Sequence, residues 1–286
     1  EQVSEKVTGI SIPNVNASKL KEIIVPLAPP DEQKSITATV EEALSRISTS
    51  QKRLLRVQEI LKRFRQAVLA AACSGELLPC KGTILRLGNL KVQIQTGPFG
   101  SALHRSDYVR GGIPVVNPMH IVNGRIRPTD DMTISKATRD RLRSYVLKVK
   151  DLIVARRGEM GRCAVVDAQS EGHLCGTGSL FIRADHNMVD SDFLQVVMSS
   201  PTTVAFLSER SVGTTMANLN QDILRDVEFF LPSIGEQREI VRRVAELFML
   251  ADQIEARCIP AKAHADSLTQ SILAKAFRGE LHMKAS

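Results

Sequence analysis

Two basic stretches that contain glycine carry the residue types best suited to binding a polyanion. One covers residues 96–105, TGPFGSALHR, and the other covers residues 155–162, ARRGEMGR. Glycine lets the backbone come close to a ligand, and arginine can form paired hydrogen bonds with a phosphate or with guanine. Each stretch could equally be an ordinary surface turn with charged side chains. Neither therefore predicts a binding site when it is taken alone.

Motifs for catalysis and metal binding are weak in this sequence. It contains neither a GxxxxGK[ST] phosphate loop nor a GxGxxG fingerprint, and residues 176–179, GTGS, are too short to count as either. Residues 117–120, NPMH, lack the second proline and the stacking aromatic of the adenine methyltransferase motif. The six histidines show no metal-ligand spacing, and the five cysteines include no CxxC pair. We therefore predict no catalytic residues, no metal site and no bound cofactor.

The net charge of +7 is concentrated in one part of the chain. Residues 84–162 hold 15 basic and 6 acidic side chains, whereas residues 163–210 hold 2 and 6. Such a basic segment favours a polyanionic partner, because lysine and arginine displace counterions from phosphates. A solvated basic face without a partner is the alternative. The chain has no Trp and only 2 Tyr and 9 Phe, which argues against reading single strands by base stacking.

Two further features bear on where the protein works. No run of 18 apolar residues is present, so we expect no membrane partner. The five cysteines are scattered and odd in number, which disfavours a disulfide framework and favours a reducing cytoplasm.

The chain contains an internal repeat that must organise whatever site it has. Residues 9–77 align with residues 213–281 at a constant shift of 204, without a gap, and 18 of the 69 positions are identical. This period is too long for a solenoid. It indicates a duplicated domain followed by a duplicated helix.

Each copy of the repeat ends in a long helical pattern. Apolar residues alternate at steps of four and three over about five heptads, which is typical of a coiled coil, whereas a helix lying on a globular core shows a wider stripe. Two such helices in one chain favour an antiparallel pair. The residues predicted in its contact stripe are Ile36, Val40, Ile47, Leu54, Leu61, Phe64, Val68, Ile240, Val244, Leu247, Ile254, Leu268 and Ile272.

Local signals agree with these helices. Residues 233–236, SIGE, fit a capping box, and Gly75 and Gly279 occupy the position of a C-terminal glycine stop. Pro260 predicts a kink or a short break in the second helix. Between the helices, apolar β-like runs at 113–116, 151–155, 163–166, 179–182 and 227–231 and a helix at 192–209, interrupted near Pro201, predict a mixed α+β domain.

The combination resembles the specificity subunit of type I restriction-modification systems. The segments that carry the resemblance are residues 231–237, LPSIGEQ, and residues 271–281, SILAKAFRGEL. Residues 95–101, QTGPFGS, are similar to the opening of the target-recognition domain of that family. The resemblance covers nearly the whole chain.

The resemblance implies four segments. Residues 1–30 would be the C-terminal remnant of a first target-recognition domain, 31–78 the first long conserved helix, 79–232 a complete target-recognition domain and 233–286 the second long helix. The expected fold is α+β, with a mixed recognition domain flanked by two long helices that form an antiparallel coiled coil. The chain would be either a fragment of a longer subunit or a natural half-subunit, which could form a homodimer.

The resemblance also implies a function and its partners. The chain would be a non-catalytic subunit that reads one half of a bipartite site in double-stranded DNA, while the coiled coil sets the spacer. It would dock the modification subunits, which bind S-adenosylmethionine, and through them the restriction subunit, which uses ATP. Neither cofactor is expected on this chain.

A set of DNA-contacting residues follows from this interpretation. We expect Arg105, Arg156, Arg157 and Arg162 to contact phosphate or guanine. The other residues predicted along the same face are Thr96, Phe99, Ser101, His104, Asn117 and Thr214. The main alternative is a coiled-coil scaffold or assembly protein with an incidental basic domain.

Overall fold

A computed structural model describes most of the chain, and its residues fall into two units. The first, here called the helical unit, comprises Glu1–Ile60 and Gln253–Ser286, and the second, the mixed unit, comprises Leu61–Asp252. The described residues are 18, 21, 22, 24, 27–211 and 218–281. The predicted remnant at residues 1–30 lies largely outside them, as does Thr214.

The secondary structure combines two long helices with short helices and short strands. The helices are α1 (Pro30–Ser74), α2 (Lys136–Arg141), α3 (Ser191–Ser199), α4 (Pro201–Ser211), α5 (Gln221–Arg225) and α6 (Ile234–Phe277). The strands are β1 (Gly82–Arg86), β2 (Val92–Thr96), β3 (Tyr108–Val109), β4 (Ile113–Val116), β5 (Ile121–Val122), β6 (Arg125–Ile126), β7 (Thr133–Ile134), β8 (Leu152–Ala155), β9 (Cys163–Val165), β10 (Leu174–Cys175), β11 (Ser179–Ala184) and β12 (Glu228–Pro232). The chain is therefore α+β, as predicted.

A four-stranded antiparallel sheet in the order β2-β11-β8-β9 lies at the centre of the mixed unit. Alternate side chains of its strands point to opposite faces, and both faces are covered. Leu152 and Leu180 belong to one buried apolar cluster, whereas Ile153 and Phe181 belong to another. Burial on both faces explains why β8 is a continuous apolar run and why β11 carries three consecutive apolar residues, 180–182.

Three further sheets lie in the described part of the mixed unit. Strands β10, β4, β7 and β3 form a second four-stranded sheet, in which β10 pairs with β4 in parallel. Strands β5 and β6 form a hairpin, and β1 pairs with β12 antiparallel from Gly82↔Pro232 to Arg86↔Glu228. The last pair brings the two ends of the domain together immediately before α6 begins.

The start of α6 is fixed by a capping box and by a buried glutamine. The backbone N–H of Ser233 donates to the Glu236 carboxylate at 2.9 Å, and the Glu236 N–H donates to Ser233 Oγ at 3.4 Å. Gln237 is fully buried; its Nε2 donates to the Pro232 carbonyl and its Oε1 accepts from the Asp190 N–H. The predicted capping box is confirmed, and the glutamine beside it joins strand, helix and domain.

The predicted glycine stops are also confirmed. Gly75 and Gly279 have φ values of +82° and +71°, in the left-handed region that glycine adopts without strain. Of the two outcomes predicted at Pro260, the short break is wrong, because α6 runs through it from Ile234 to Phe277, and the kink stays a prediction. Proline removes only one backbone donor, and the neighbouring turns keep their helical bonds.

Within each unit the long helices run antiparallel. In the mixed unit, Arg65 pairs with Asp252 at 2.7 Å, and the Leu77 carbonyl, farther along the chain, accepts from Arg243, which precedes Asp252. In the helical unit, Gln51 donates to Asp266 at 2.8 Å. A groove there is lined by both helices, with Ile47 and Leu54 from α1 and Ala265 and Leu268 from α6. The predicted antiparallel pairing is confirmed.

The predicted members of the contact stripe are not all buried. Its buried members include Ile47, Leu61 and Val68 in α1 and Ile240 and Val244 in α6. The other predicted members except two are half-buried: Ile36, Val40, Leu54, Phe64, Leu247 and Ile272.

Ile254 and Leu268 are the most exposed of the predicted members, at 39% and 36%, and Leu268 still lines the groove with Ile47 and Leu54. The neighbours of Ile254 three residues before and four residues after it on α6 are small, Ala251 and Cys258. These short side chains leave Ile254 little apolar surface on its own helix to pack against.

Candidate nucleic-acid interface

The register of the central sheet brings the two basic glycine stretches to the same edge. Thr96, the last residue of β2, pairs with Leu180 of β11, and Ala155, the last residue of β8, pairs with Ser179. The loops that follow β2 and β8 and the loop that precedes β11 therefore emerge side by side. Sequence alone could not show this, since the strands are far apart along the chain.

The loop before β11, residues 176–178, is the point where the others attach. Thr177 Oγ1 donates to the Pro98 carbonyl at 2.8 Å, and the Arg156 N–H donates to the Gly178 carbonyl at 2.8 Å. A Cβ placed on Gly97 would lie 1.9 Å from the Gly176 carbonyl oxygen, so only glycine allows this approach. The GTGS segment that we dismissed as a phosphate loop is thus the centre of the arrangement.

The loop after β8 presents the arginines. Arg156 Nε donates to the Leu219 carbonyl at 3.0 Å, and Arg157 Nε donates to Asn218 Oδ1 at 2.8 Å. Burial and the nearby charge of Arg157 lower the pKa of Arg156, but an arginine remains charged at neutral pH. Among the described residues, no acceptor is seen for the other guanidinium nitrogens of these two arginines, which remain available to a phosphate or a base edge.

A second turn, residues 117–120, packs against the same centre. Asn117 Oδ1 accepts from the Gly178 N–H at 3.3 Å, and the Pro118 carbonyl accepts from Arg162 Nη1 at 3.3 Å. Arg162 also pairs with Glu159 at 2.7 Å. Asn117 was predicted on the DNA-facing side, but its side-chain oxygen is used internally to hold the turn.

The predicted residues therefore divide into two groups. Thr96, Asn117, Arg156, Arg157 and Arg162 lie in this network, and Phe99 is 63% exposed with its ring centroid 6.0 Å from the Arg156 guanidinium carbon. Three others lie farther along the loop after β2 and are exposed: Ser101, His104 and Arg105. Their part of the loop is joined to α2, since Arg141 donates to the Ala102 carbonyl and to Asp107.

His120 is a structural member of the turn and not a surface residue. It is 1% exposed; its Nδ1 accepts from the Asn117 N–H at 3.2 Å, and its Nε2 lies 3.1 Å from Thr129 Oγ1. Burial lowers the pKa of His120, although attraction to Asp131 opposes this. The folded turn therefore requires the neutral imidazole.

A pH dependence of stability follows. The folded-state pKa lies below the unfolded value of about 6.5, so the contribution is complete above that pH and is lost as the pH falls through the folded pKa. We expect the free energy of unfolding, measured in urea, to fall between pH 7 and pH 5, and to fall less in His120→Gln. His264→Gln, an exposed site in α6, is the control. An equal fall in His120→Gln and the wild type would contradict the assignment.

Comparison with known proteins decides the family. Residues 93–262, more than half of the chain, match the family model described as type I restriction modification DNA specificity domain. The chain belongs to this family. The matched range includes both basic loops, the 176–178 centre and the first part of α6.

Individual members of the type I specificity family are similar over nearly the whole chain. The type I restriction enzyme EcoBI specificity subunit of Escherichia coli is 30% identical over 298 residues, covering 98% of this chain and 63% of that protein. The StySPI specificity subunit of Salmonella potsdam is 32% identical over 292 residues, covering 98% and 62%. The chain thus spans under two thirds of the length of these relatives.

Solved structures show the same fold. A structure of a type I R-M system, concerned with its complex assembly and conformational transition, matches with a TM-score of 0.78 at 22% identity, covering 98% of this chain and 68% of that one. The HsdS subunit from Thermoanaerobacter tengcongensis matches with a TM-score of 0.58 at 22% identity, with the same coverage. In the described part of this specificity-family chain, no helix is long and apolar enough to cross a membrane.

Proposed function

We propose that this chain recognises double-stranded DNA as a specificity subunit of a type I restriction-modification complex and reads one half of a bipartite site. The observation that carries the proposal is the convergence of Arg156, Arg157 and Arg162 with the exposed loop after β2 at one edge of the sheet. Residues 79–232 would be the target-recognition domain. The local excess of positive charge supports a phosphate-rich partner.

The long helices would set the spacer between half-sites. They contain 45 and 44 residues, and at about 1.5 Å per residue each is about 66 Å long. Two turns of B-DNA at about 34 Å each have a similar length. The helices would therefore separate two reading surfaces by about two turns of B-DNA, so that both could face the same groove.

The same helices would dock the modification subunits. Support comes from large apolar side chains that the helix pair leaves exposed: Leu55, Ile60, Met249, Leu250, Ile259 and Phe277. The restriction subunit would join through that complex. We propose that S-adenosylmethionine and ATP bind those partners and not this chain, that the complex works in the cytoplasm, and that two copies would be needed if the chain is a half-subunit.

Selection from randomised DNA tests the proposal. The purified chain, with and without modification subunits, is mixed with duplexes that carry a randomised segment, and the bound duplexes are sequenced. We expect one short motif to be enriched, with each mismatch lowering affinity about 5- to 150-fold. Assembly with modification subunits without enrichment of any motif would favour the scaffold alternative and overturn the proposal.

A further inference from the structure

The turn at residues 117–120 carries an exposed apolar side chain that no sequence motif indicated. Met119 is 63% exposed, although its neighbour His120 is 1% exposed. Both belong to a short 3-10 turn that begins at Pro118. A single exposed methionine is common on protein surfaces, so exposure alone says little. Met119 differs from such residues because the backbone of its turn is fixed.

The backbone under Met119 is fixed from several sides. Pro118 restricts the first residue of the turn, and the Asn117 N–H donates to the buried His120 ring. Gly178 donates to Asn117 Oδ1, and a Cβ on Gly178 would lie 2.8 Å from Pro118 Cδ. The turn is therefore held in one position, whereas its methionine, with three rotatable bonds, extends outward.

Met119 lies beside the residues of the proposed DNA-reading surface. Arg162 donates to the carbonyl of the preceding residue, Pro118, and Gly178 joins the turn to the Arg156 backbone. If this surface lies in a major groove, the thymine 5-methyl group is the apolar feature that base edges offer there. A soft, unbranched methionine side chain suits that group, whereas it offers no donor to a phosphate.

On the basis of the proposed function, we propose that Met119 is a specificity-determining residue that contacts the 5-methyl group of a thymine in the half-site. The contact would discriminate thymine from bases that lack an apolar group at that position of the groove. It assigns a reading role to a residue outside the predicted set, two positions beyond Asn117.

Thymine-to-uracil replacement isolates this contact. Once the bound motif has been selected, each thymine in it is replaced singly by deoxyuridine, which changes only the 5-methyl group. For the wild type we expect one position at which the replacement raises Kd about fourfold, the value of one buried methyl group. In Met119→Ala that position should bind thymine and uracil equally. Met188→Ala, in which a methionine 48% exposed between β11 and α3 is shortened, should keep the wild-type discrimination.

The other outcomes of this experiment distinguish failure of the proposed function from failure of the Met119 inference. If no motif is enriched, the proposed function fails. If a motif is enriched but contains no thymine, or no thymine shows a methyl effect that depends on Met119, this inference fails while the proposed function stands. If Met119→Ala weakens binding equally to thymine and uracil duplexes and abolishes a DNA bend, the side chain is a wedge between base pairs, and the methyl contact is overturned.

Discussion

Replacing Arg156 and Arg157 together by alanine is expected to raise Kd for duplex DNA at least tenfold. Both guanidinium groups lie at the edge of the sheet where the loops converge, and each uses its Nε internally while its other nitrogens face no protein acceptor among the described residues. Loss of two phosphate contacts should also reduce the slope of log K against log salt by about two. The measurement is a titration of a fluorescent duplex at several salt concentrations.

The control for this double variant removes the same charge elsewhere. Arg238→Ala with Arg242→Ala changes two exposed arginines on α6 and lowers the net charge equally. It should leave the salt slope close to that of the wild type. A thermal unfolding curve for each variant separates loss of binding from loss of fold. Unchanged affinity of the Arg156/Arg157 variant at low salt would remove these residues from the interface.

The second large effect is on stability, and it concerns the ion pair of Arg183 with Asp151. Two guanidinium nitrogens donate to the two Asp151 oxygens at 2.7 and 2.6 Å, and Asp151 is 1% exposed. Asp151 also accepts from the Lys148 N–H at 2.8 Å. Arg183→Ala leaves a buried carboxylate without its partner, and we expect the free energy of unfolding in urea to fall by about 3–5 kcal/mol.

Two controls sharpen this result. Arg183→Met with Asp151→Asn removes both charges, keeps an acceptor for Lys148 and should recover much of the loss. Arg242→Ala breaks exposed pairs with Glu239 and Glu246 and should lower the free energy of unfolding far less. A loss below about 1 kcal/mol in Arg183→Ala would contradict the stabilising role of this pair.

The parts of the fold that sequence predicted depend on local interactions. The capping box at Ser233, the stop at Gly279 and the long helices follow from residues within one or two turns of each other. The helix predicted from 192 to 209 is interrupted at Pro201 as expected, because Ser200, the residue before the proline, cannot easily stay helical. Such features can be predicted from sequence because the interactions that stabilise them involve only nearby residues.

Features that depend on distant residues were not predictable. Strands of two residues, such as β3 and β10, carry no periodic signal, and their pairing is decided by the packed domain. Asp151 and Arg183 are 32 residues apart, and no spacing rule marks them as partners. Ile254 satisfies the heptad rule but lies beside small side chains, so its position in the stripe does not bury it.

In the candidate site, too, local features were predictable from sequence and features that depend on distant residues were not. Charge and glycine indicated the two basic loops, and the order of β2, β11 and β8 brings them together. The 176–178 centre was missed because its role is to accept contacts from other loops, which sequence does not display. A high density of glycine at 176 and 178 was the available signal. Met119 gave none, since exposure is a property of the folded turn.

The most direct test of the central claim is the ratio of Kd values for two duplexes at one salt concentration. One carries the motif enriched by the chain, and the other carries the same bases in permuted order. If the converged loops read base sequence, the permuted duplex should bind at least a hundredfold more weakly, and Arg156→Ala with Arg157→Ala should weaken both. Equal Kd values for the two duplexes would contradict the account, because the basic loops would then bind phosphates without reading the bases.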